Sequence, residues 1–288
     1  MEISQLIHDE KEIQNCIIKQ YNSNRSHIFK NYPEIEKLKQ QPRFPFDKPR
    51  RYQALAYTKW EENNYNGLFA MATGTGKTIT SLNCVLNEYK KTGKYKVIIA
   101  VPTTALVDQW AGECDGENKF NFKNIITSSQ NKYKKRLRDF LLTDMDFIFI
   151  TTYATISTGG LDQIFNVYKS ALENFIFIAD ECHNIGSKKL FKKIPNMFKK
   201  RIGLSATPER VYDQDGSKNL FNYFNAQAPC FTYSLSMKTA IEGQQNPKIE
   251  PVLSQFHYYP KFTTLQTNEL DKYIKITKQI MPLLNSKT

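Results

Sequence analysis

Apolar and polar positions alternate in blocks from about residue 50 onward. Short apolar runs, typical of buried strands, lie at residues 67–71, 95–101, 124–127, 146–151, 174–179 and 201–204. Apolar positions three or four residues apart predict helices at 50–63, 78–91, from 105 onward, 132–142, 161–172 and 188–198. Because strands and helices alternate, we predict an α/β fold with a central, mostly parallel sheet flanked by helices.

Both ends of the chain depart from this pattern. Residues 1–48 combine helical periodicity with several prolines, which predicts a helical extension and a linker. Beyond residue 210 we predict a turn-rich stretch at 211–219, a short helix at 220–224, strands at 231–235 and 252–259, a helical turn at 236–242 and a helix at 268–284. We therefore expect an extension (1–48), a main α/β domain (49–250) and a strand–helix segment (251–288).

A glycine-rich turn connects the first predicted strand to the helix at 78–91. It reads Met-Ala-Thr-Gly-Thr-Gly-Lys-Thr, and strand, glycine-rich turn and helix form the context of a phosphate-binding loop. Such glycines let successive N–H groups point at one anion, and the helix N-terminus adds partial positive charge. The predicted nucleotide contacts are Thr73, Gly74, Thr75, Gly76, Lys77 and Thr78. The alternative is a Gly/Thr-rich turn that ends in Lys-Thr by chance.

Three residues near this turn have specific expected roles. Lys77 would reach the β- and γ-phosphates, and the Thr78 hydroxyl would hold Mg²⁺. Gln53 lies upstream, and its amide offers a donor and an acceptor that match the Hoogsteen edge of adenine. The alternative for Gln53 is an ordinary surface glutamine. ATP and Mg²⁺ are the ligands that these residues predict.

An Asp-Glu-Cys-His sequence directly follows the buried strand at 174–179. Asp180 is placed where a carboxylate can enter the Mg²⁺ shell, because that ion prefers oxygen ligands. Glu181 can orient and deprotonate the attacking water. A metalloenzyme site with Cys182 and His183 as ligands is disfavoured, since no second His/Cys cluster has ligand spacing.

The order of these elements resembles the first RecA-like motor domain of superfamily-2 helicases and translocases, and in particular the DEAD/DEAH-box group that includes type III restriction (Res) subunits. The match runs from about Arg50 to Arg210. The general phosphate-loop pattern has Gly where this chain has Met71, and the variant without that first Gly is the one this superfamily uses. In the family, an Arg-x-Tyr-Gln element such as the one ending at Gln53 binds adenine.

The resemblance also implies roles for residues outside the phosphate loop. His183 is similar to the last residue of the D-E-x-H box, which communicates with the next motif. Ser205 and Thr207 belong to a Ser-Ala-Thr element that couples the ATP state to nucleic-acid binding. Predicted nucleic-acid contacts lie in two strand-end segments, one with Thr103, Thr104 and Gln109 and one with Thr151, Thr152 and Thr155. Trp110 lies in the first of these segments, with simple helix packing as its alternative.

Composition adds a weaker indication of the partner. The formal net charge is +12 with a pI near 9.3, which suits a polyanion. A basic run at residues 188–201 could bind DNA, and a solvated surface face is the favoured alternative. Five scattered cysteines, a polar N-terminus and the lack of a long apolar run predict a cytoplasmic protein without disulfides, signal peptide or membrane span.

The resemblance implies a motor whose second RecA-like lobe supplies an arginine finger, for which we find no candidate in this sequence. We therefore expect an ATP-dependent DNA, rather than RNA, helicase or translocase lobe, weakly active alone, from a restriction or phage-defence system. The second lobe would come from a longer native chain, the favoured option, or from a partner chain, and a nuclease or other defence subunit is a possible partner. The alternative is a non-catalytic module that binds nucleotide or nucleic acid and regulates a partner.

Overall fold

The computed structural model describes residues 41–116, 118–256 and 259–285, and in 281–285 it describes only the backbone. The chain divides into one compact unit that extends to Leu253 and a second unit, Ser254–Thr288. The predicted N-terminal helices at 1–40 lie outside the described residues. Among the described residues, no helix is both long and apolar enough to cross a membrane.

The first unit is built on a seven-stranded sheet in which all neighbouring strands run parallel. Its strands are β1 (Asn66–Met71), β2 (Lys96–Val101), β3 (Ile125–Thr127), β4 (Phe147–Thr152), β5 (Ile176–Ala179), β6 (Lys200–Ser205) and β7 (Tyr233–Leu235), in the order β3-β4-β2-β5-β6-β1-β7. The predicted α/β class with a parallel RecA-like sheet is confirmed. All strands end at the same edge, where ligands bind in open α/β sheets.

The helices precede, connect and follow the strands, and the last one lies in the C-terminal unit. They are α1 (Arg51–Glu62), α2 (Lys77–Thr92), α3 (Thr104–Asp115), α4 (Tyr133–Leu141), α5 (Tyr153–Ser157), α6 (Asp162–Val167), α7 (Lys169–Leu172), α8 (Lys188–Phe191), α9 (Gln214–Tyr223), α10 (Met237–Glu242) and α11 (Thr267–Asn285). A 3₁₀ helix spans Cys182–Gly186. The helix predicted at 268–284 is confirmed as α11.

The sheet separates two apolar cores, because side chains alternate between the faces of a strand. In β2, Val97 and Ile99 pack into one core, whereas Ile98 and Ala100 pack into the other. Helices α1, α2 and α3 cover the first core, and α4 to α9 cover the second. Strands buried on both faces read as continuous apolar runs, which is why β2, β4 and β5 are visible in the sequence.

Two helix predictions in the middle of the chain were wrong in extent. The helix predicted at 188–198 ends at Phe191, and Pro195 lies in the segment that follows. Proline disfavours helical backbone, so the apolar spacing there belongs to a buried loop in which Ile194 and Phe198 face the core. The helix predicted at 161–172 is divided into α6 and α7, with Tyr168 between them.

Two predictions in the C-terminal third were also wrong. Helix α9 begins at Gln214, well before residue 220, because the Asp213 carboxylate accepts the Gly216 N–H at 2.8 Å and caps it. The described residues of the segment 252–259 contain no strand. The strand predicted at 231–235 is shorter, as β7, and the helical turn at 236–242 is confirmed as α10.

A buried ion pair joins helix α2 to strand β6. Glu88, 4% exposed, pairs with Lys200 and accepts a hydrogen bond from the Tyr57 hydroxyl at 3.0 Å. Lys200 also lies 4.4 Å from the centroid of the Tyr65 ring. Removing one member of such a pair leaves an uncompensated buried charge, which costs more than removing both members.

We predict that Lys200→Met lowers the free energy of unfolding by about 3 kcal/mol, because the Glu88 carboxylate loses its cation. The double variant Glu88→Leu/Lys200→Met should recover most of this loss. Urea denaturation of the two variants and the wild type checks the prediction. A double variant as unstable as Lys200→Met would contradict it.

Candidate functional site

The predicted phosphate-loop residues form a tight turn between β1 and α2. Gly74 has φ +82° and Gly76 has φ +79°, left-handed conformations that glycine adopts without strain. The Thr75 N–H and hydroxyl both donate to the Ala72 carbonyl, at 3.3 and 2.6 Å, and the Ala72 N–H donates to Leu235 of β7 at 2.9 Å. Gly76 is the N-cap of α2, which places the loop at that helix N-terminus.

Helix α1 packs its first turn against this loop. Gln53 is only 4% exposed, so it is not an ordinary surface glutamine. The Gln53 Oε1 accepts the Arg50 N–H at 2.8 Å. The Gln53 Nε2 lies close to Gly76, because a Cβ added to that glycine would be 3.7 Å from it. The adenine-binding role of Gln53 stays a prediction, and the structure places its amide beside the phosphate loop.

Tyr52 is a functional candidate that the sequence reasoning missed. Its hydroxyl donates to the Thr75 carbonyl at 2.6 Å, and the side chain is buried. Burial raises the pKa of Tyr52, so the hydroxyl remains a protonated donor. The signal was present in the Arg-Tyr-Gln sequence, but nothing local shows which residue the tyrosine contacts.

We predict that Tyr52→Phe weakens ATP binding about fivefold, because a neutral hydrogen bond of about 1 kcal/mol no longer holds the Thr75 carbonyl. Titration with a fluorescent ATP analogue measures the effect. Tyr223→Phe is the matched control, since the buried Tyr223 hydroxyl donates to Pro195 O at 2.6 Å in another part of the unit. Equal losses of affinity in the two variants would contradict the prediction.

The structure brings Lys77 and Glu181 together across the strand ends. The Lys77 Nζ lies 3.9 Å from Glu181 Oε1, and the Lys77 side chain is only 11% exposed. Glu181 has φ +46° and ψ +51°, a conformation that is costly for a residue with a Cβ. Asn184 donates from its side chain to the Glu181 carbonyl at 2.9 Å, which helps to hold this backbone. Strain of this kind is typical of functional sites.

The Asp180 side chain is buried, and both oxygens of its carboxylate accept hydrogen bonds. Oδ1 accepts the Glu181 N–H at 3.0 Å, and Oδ2 accepts the Trp110 indole N–H at 2.9 Å. In the described part of the chain, no Lys, Arg or His pairs with Asp180. A buried carboxylate without a cation is unfavourable, so the site suits a bound cation.

The donor set fits Mg²⁺ as the sequence predicts. Mg²⁺ takes oxygen ligands and is usually held by one or two protein groups together with phosphates and water. Asp180 and the half-buried Thr78 hydroxyl offer such oxygens. No group of three or more His, Cys, Asp or Glu side chains able to hold a metal occurs within the described ranges. Burial raises the pKa of the Cys182 thiol, so it is a poor metal ligand.

The predicted coupling residues lie in one hydrogen-bonded cluster. His183 Nδ1 is 3.1 Å from the Ser205 Oγ and 3.4 Å from Glu181 Oε2. Ser205 Oγ also accepts the Thr207 N–H at 3.1 Å. The cluster therefore links the end of β5 to the end of β6.

Arg210 is a further residue of this region that the sequence reasoning missed. Its Nη1 donates to the His183 carbonyl at 2.7 Å, and its Nε donates to Asp213 at 2.9 Å. A Cβ added to Gly186 would lie 2.5 Å from the Arg210 Cδ, so only glycine leaves room for the arginine. Arg210 thus fixes the backbone of the coupling cluster.

The two predicted nucleic-acid segments differ in exposure. Thr103, Thr104 and Gln109 are exposed at the start of α3. Thr151 is fully buried, and its hydroxyl has no hydrogen-bond partner. Thr152 is also buried, where its hydroxyl caps α5 by accepting the Thr155 N–H at 3.1 Å. The first segment therefore presents its side chains to solvent, whereas in the second segment only Thr155 is partly exposed. Contact with nucleic acid stays a prediction for both.

Much of the basic run at 188–201 has partners within the protein. Lys193 pairs with Asp162, Lys199 with Glu173 and Lys200 with Glu88. The Arg201 guanidinium donates to the carbonyls of Phe198, Tyr223 and Asn196 at 2.7, 2.8 and 2.7 Å. These contacts support a structural role for this run.

The model of the type III restriction enzyme, res subunit, family matches residues 46–210. This range includes the phosphate loop, the Asp-Glu-Cys-His box and the coupling cluster. The chain belongs to this family. The predicted resemblance to the first motor domain of superfamily-2 proteins is thereby confirmed.

A curated relative and two solved structures extend the comparison. The Type I restriction enzyme EcoAI endonuclease subunit of Escherichia coli is 28% identical over 197 residues, which are 65% of this chain and 22% of that protein. The chain therefore spans about a fifth of that relative's length. The Pyrococcus furiosus Hef helicase domain is 21% identical with a TM-score of 0.49, covering 68% of this chain and 40% of that one. The UvsW helicase from bacteriophage T4 is 19% identical with a TM-score of 0.47, covering 79% and 77%.

Proposed function

We propose that this family member is the ATP-binding lobe of a DNA helicase or translocase that hydrolyses ATP with Mg²⁺. The observation that carries the proposal is the convergence of Lys77, Asp180 and Glu181 at the carboxyl edge of the sheet. Lys77 is far in sequence from Asp180 and Glu181, yet its ammonium lies 3.9 Å from Glu181, the residue that follows Asp180. A site that only binds nucleotide needs no water-activating carboxylate.

Different residues of the chain would perform different steps of ATP binding and hydrolysis. The loop N–H groups and Lys77 hold the phosphates, and Gln53 binds adenine. Asp180 and Thr78 would hold Mg²⁺, which when bound neutralises charge that develops on the phosphates. Glu181, whose side chain is 35% exposed beside Lys77, orients the attacking water and accepts its proton. His183, Ser205 and Thr207 would then relay the state of the site to neighbouring elements.

We further propose that the nucleic acid is DNA and that a second RecA-like lobe completes the cleft, in the same chain or in a partner. The family and the EcoAI relative, which is named an endonuclease subunit of a restriction enzyme, support a role in restriction-type defence alongside a nuclease. Exposed Thr103 and Thr104 at the carboxyl edge suit contacts to phosphates, which position a protein without reading sequence.

ATP turnover with and without duplex DNA tests the proposal, measured on this chain and on the longest natural protein that contains it. We expect weak turnover by this chain and DNA-stimulated turnover once a second lobe is present, because an arginine finger contributes about 10³–10⁵ in rate. ATP binding without turnover in both proteins would instead support the regulatory binding module.

A further inference from the structure

Two buried aromatic side chains converge on Asp180. Trp110 on α3, 1% exposed, donates its indole N–H to the Asp180 Oδ2 at 2.9 Å. Tyr153, the first residue of α5 and 5% exposed, donates its hydroxyl to the Asp180 main-chain carbonyl at 2.6 Å. Both aromatic rings would fill their cores without these contacts, so hydrophobic packing does not require two polar groups directed at one residue.

Each aromatic side chain lies on a helix that begins at a predicted nucleic-acid segment. Helix α3 follows β2 after Pro102 and Thr103, and Trp110 lies six positions, about 9 Å of helix, beyond the exposed Thr104. Helix α5 follows β4 directly, and Tyr153 is the neighbour of Thr152, the cap of that helix. Because each helix contacts Asp180 through one side chain, a shift of either helix would act on Asp180 through that contact.

We propose that Trp110 and Tyr153 are positioning residues that fix Asp180 for Mg²⁺ and connect both strand-end segments to it. Nucleic-acid contact and Mg²⁺–ATP binding then change each other's affinity through these two hydrogen bonds. The inference rests on the proposed function, because it takes Asp180 as the Mg²⁺ ligand.

The positioning role has its physical basis in the two hydrogen bonds that the Asp180 carboxylate accepts. The indole N–H on Oδ2 and the Glu181 N–H on Oδ1 restrict rotation of the carboxylate, while each oxygen keeps a lone pair for a cation. Hydrogen-bond partners that orient metal ligands in this way typically change metal affinity or activity by about 10–100-fold when they are mutated.

Trp110→Phe tests the positioning role, since it keeps an aromatic ring and removes the N–H. We expect the Mg²⁺ concentration for half-maximal binding of a fluorescent ATP analogue to rise about tenfold, with binding in EDTA unchanged. Tyr153→Phe should give a smaller rise, because it releases the main chain and leaves both carboxylate hydrogen bonds in place.

Two buried residues elsewhere in the unit serve as matched controls. Trp60→Phe removes an indole N–H that donates to Arg201 O at 2.8 Å, and Tyr223→Phe removes a hydroxyl that donates to Pro195 O. Neither control should alter the Mg²⁺ requirement. If Trp110→Phe shifts that requirement no more than Trp60→Phe does, the positioning role is overturned. A wild-type protein without Mg²⁺-dependent nucleotide binding would overturn the proposed function itself.

To test the coupling, the affinity for nucleotide is measured with and without a short DNA duplex, and the ratio of the two affinities is the coupling factor. Coupling between two ligands is reciprocal and commonly amounts to about 5–150-fold. We expect this factor to fall toward one in Trp110→Phe and to stay at the wild-type value in Trp60→Phe. An unchanged factor in Trp110→Phe, or no DNA effect in the wild type, would overturn the coupling while leaving Mg²⁺-dependent ATP binding intact.

Discussion

Glu181→Gln should slow ATP hydrolysis by about 10²–10⁴-fold, the usual contribution of a general base. Glutamine preserves the size of the side chain but cannot accept the proton of the attacking water. Nucleotide binding should persist or tighten slightly, because Lys77 and the loop N–H groups are untouched. Single-turnover hydrolysis and equilibrium binding of ATP, both measured in the longest natural protein that contains the chain, separate these two effects.

Glu173→Gln is the matched control for this prediction. Glu173 precedes strand β5, whereas Glu181 follows it, so the two carboxylates lie near opposite ends of one strand. The half-buried Glu173 pairs with Lys199, which lowers the pKa of Glu173, and neither residue belongs to the proposed nucleotide site. Hydrolysis that is equally fast in Glu181→Gln and Glu173→Gln would remove Glu181 from the catalytic role and support the regulatory binding module.

Lys77→Met should weaken ATP binding by about 10–100-fold and also reduce turnover. A charged hydrogen bond contributes about 1.5–3 kcal/mol, and the Lys77 side chain is only 11% exposed, so water screens its charge weakly. The substitution also removes the cation beside Glu181, which leaves a negative charge facing the triphosphate. Titration of the variant with a fluorescent ATP analogue gives the affinity directly.

Lys90→Met controls for the loss of one positive charge on the same helix. Lys90 is exposed in the last turn of α2, whereas Lys77 is the first residue of that helix. Its removal costs only the small interaction of a surface cation with the helix C-terminus. Equal ATP affinities in Lys77→Met and the wild type would contradict the assignment of the phosphate loop.

Local patterns explain why much of this site could be predicted. The phosphate loop is one continuous segment, and its strand, turn and helix are each visible in neighbouring residues. Asp180 and Glu181 follow a fully apolar strand, and strands of a parallel sheet end at one edge, so their approach to Lys77 follows from topology. The misplaced elements, such as the helix expected at 188–198, are those in which tertiary contacts decide the backbone. There Arg201 holds the carbonyls of a loop that carries a proline.

The sequence by itself determined the parallel α/β fold, the glycine-rich turn before α2 and the position of the acidic pair after β5, because each depends on local periodicity or on residues adjacent in the chain. Only the tertiary structure decided that Tyr52 holds the loop, that Thr151 is buried and that Trp110 donates to Asp180. The last pair is separated by 70 positions. Contacts of that kind depend on how the helices pack against the sheet edge. This packing, and not the neighbours in sequence, decides whether a side chain is buried and which group it hydrogen-bonds.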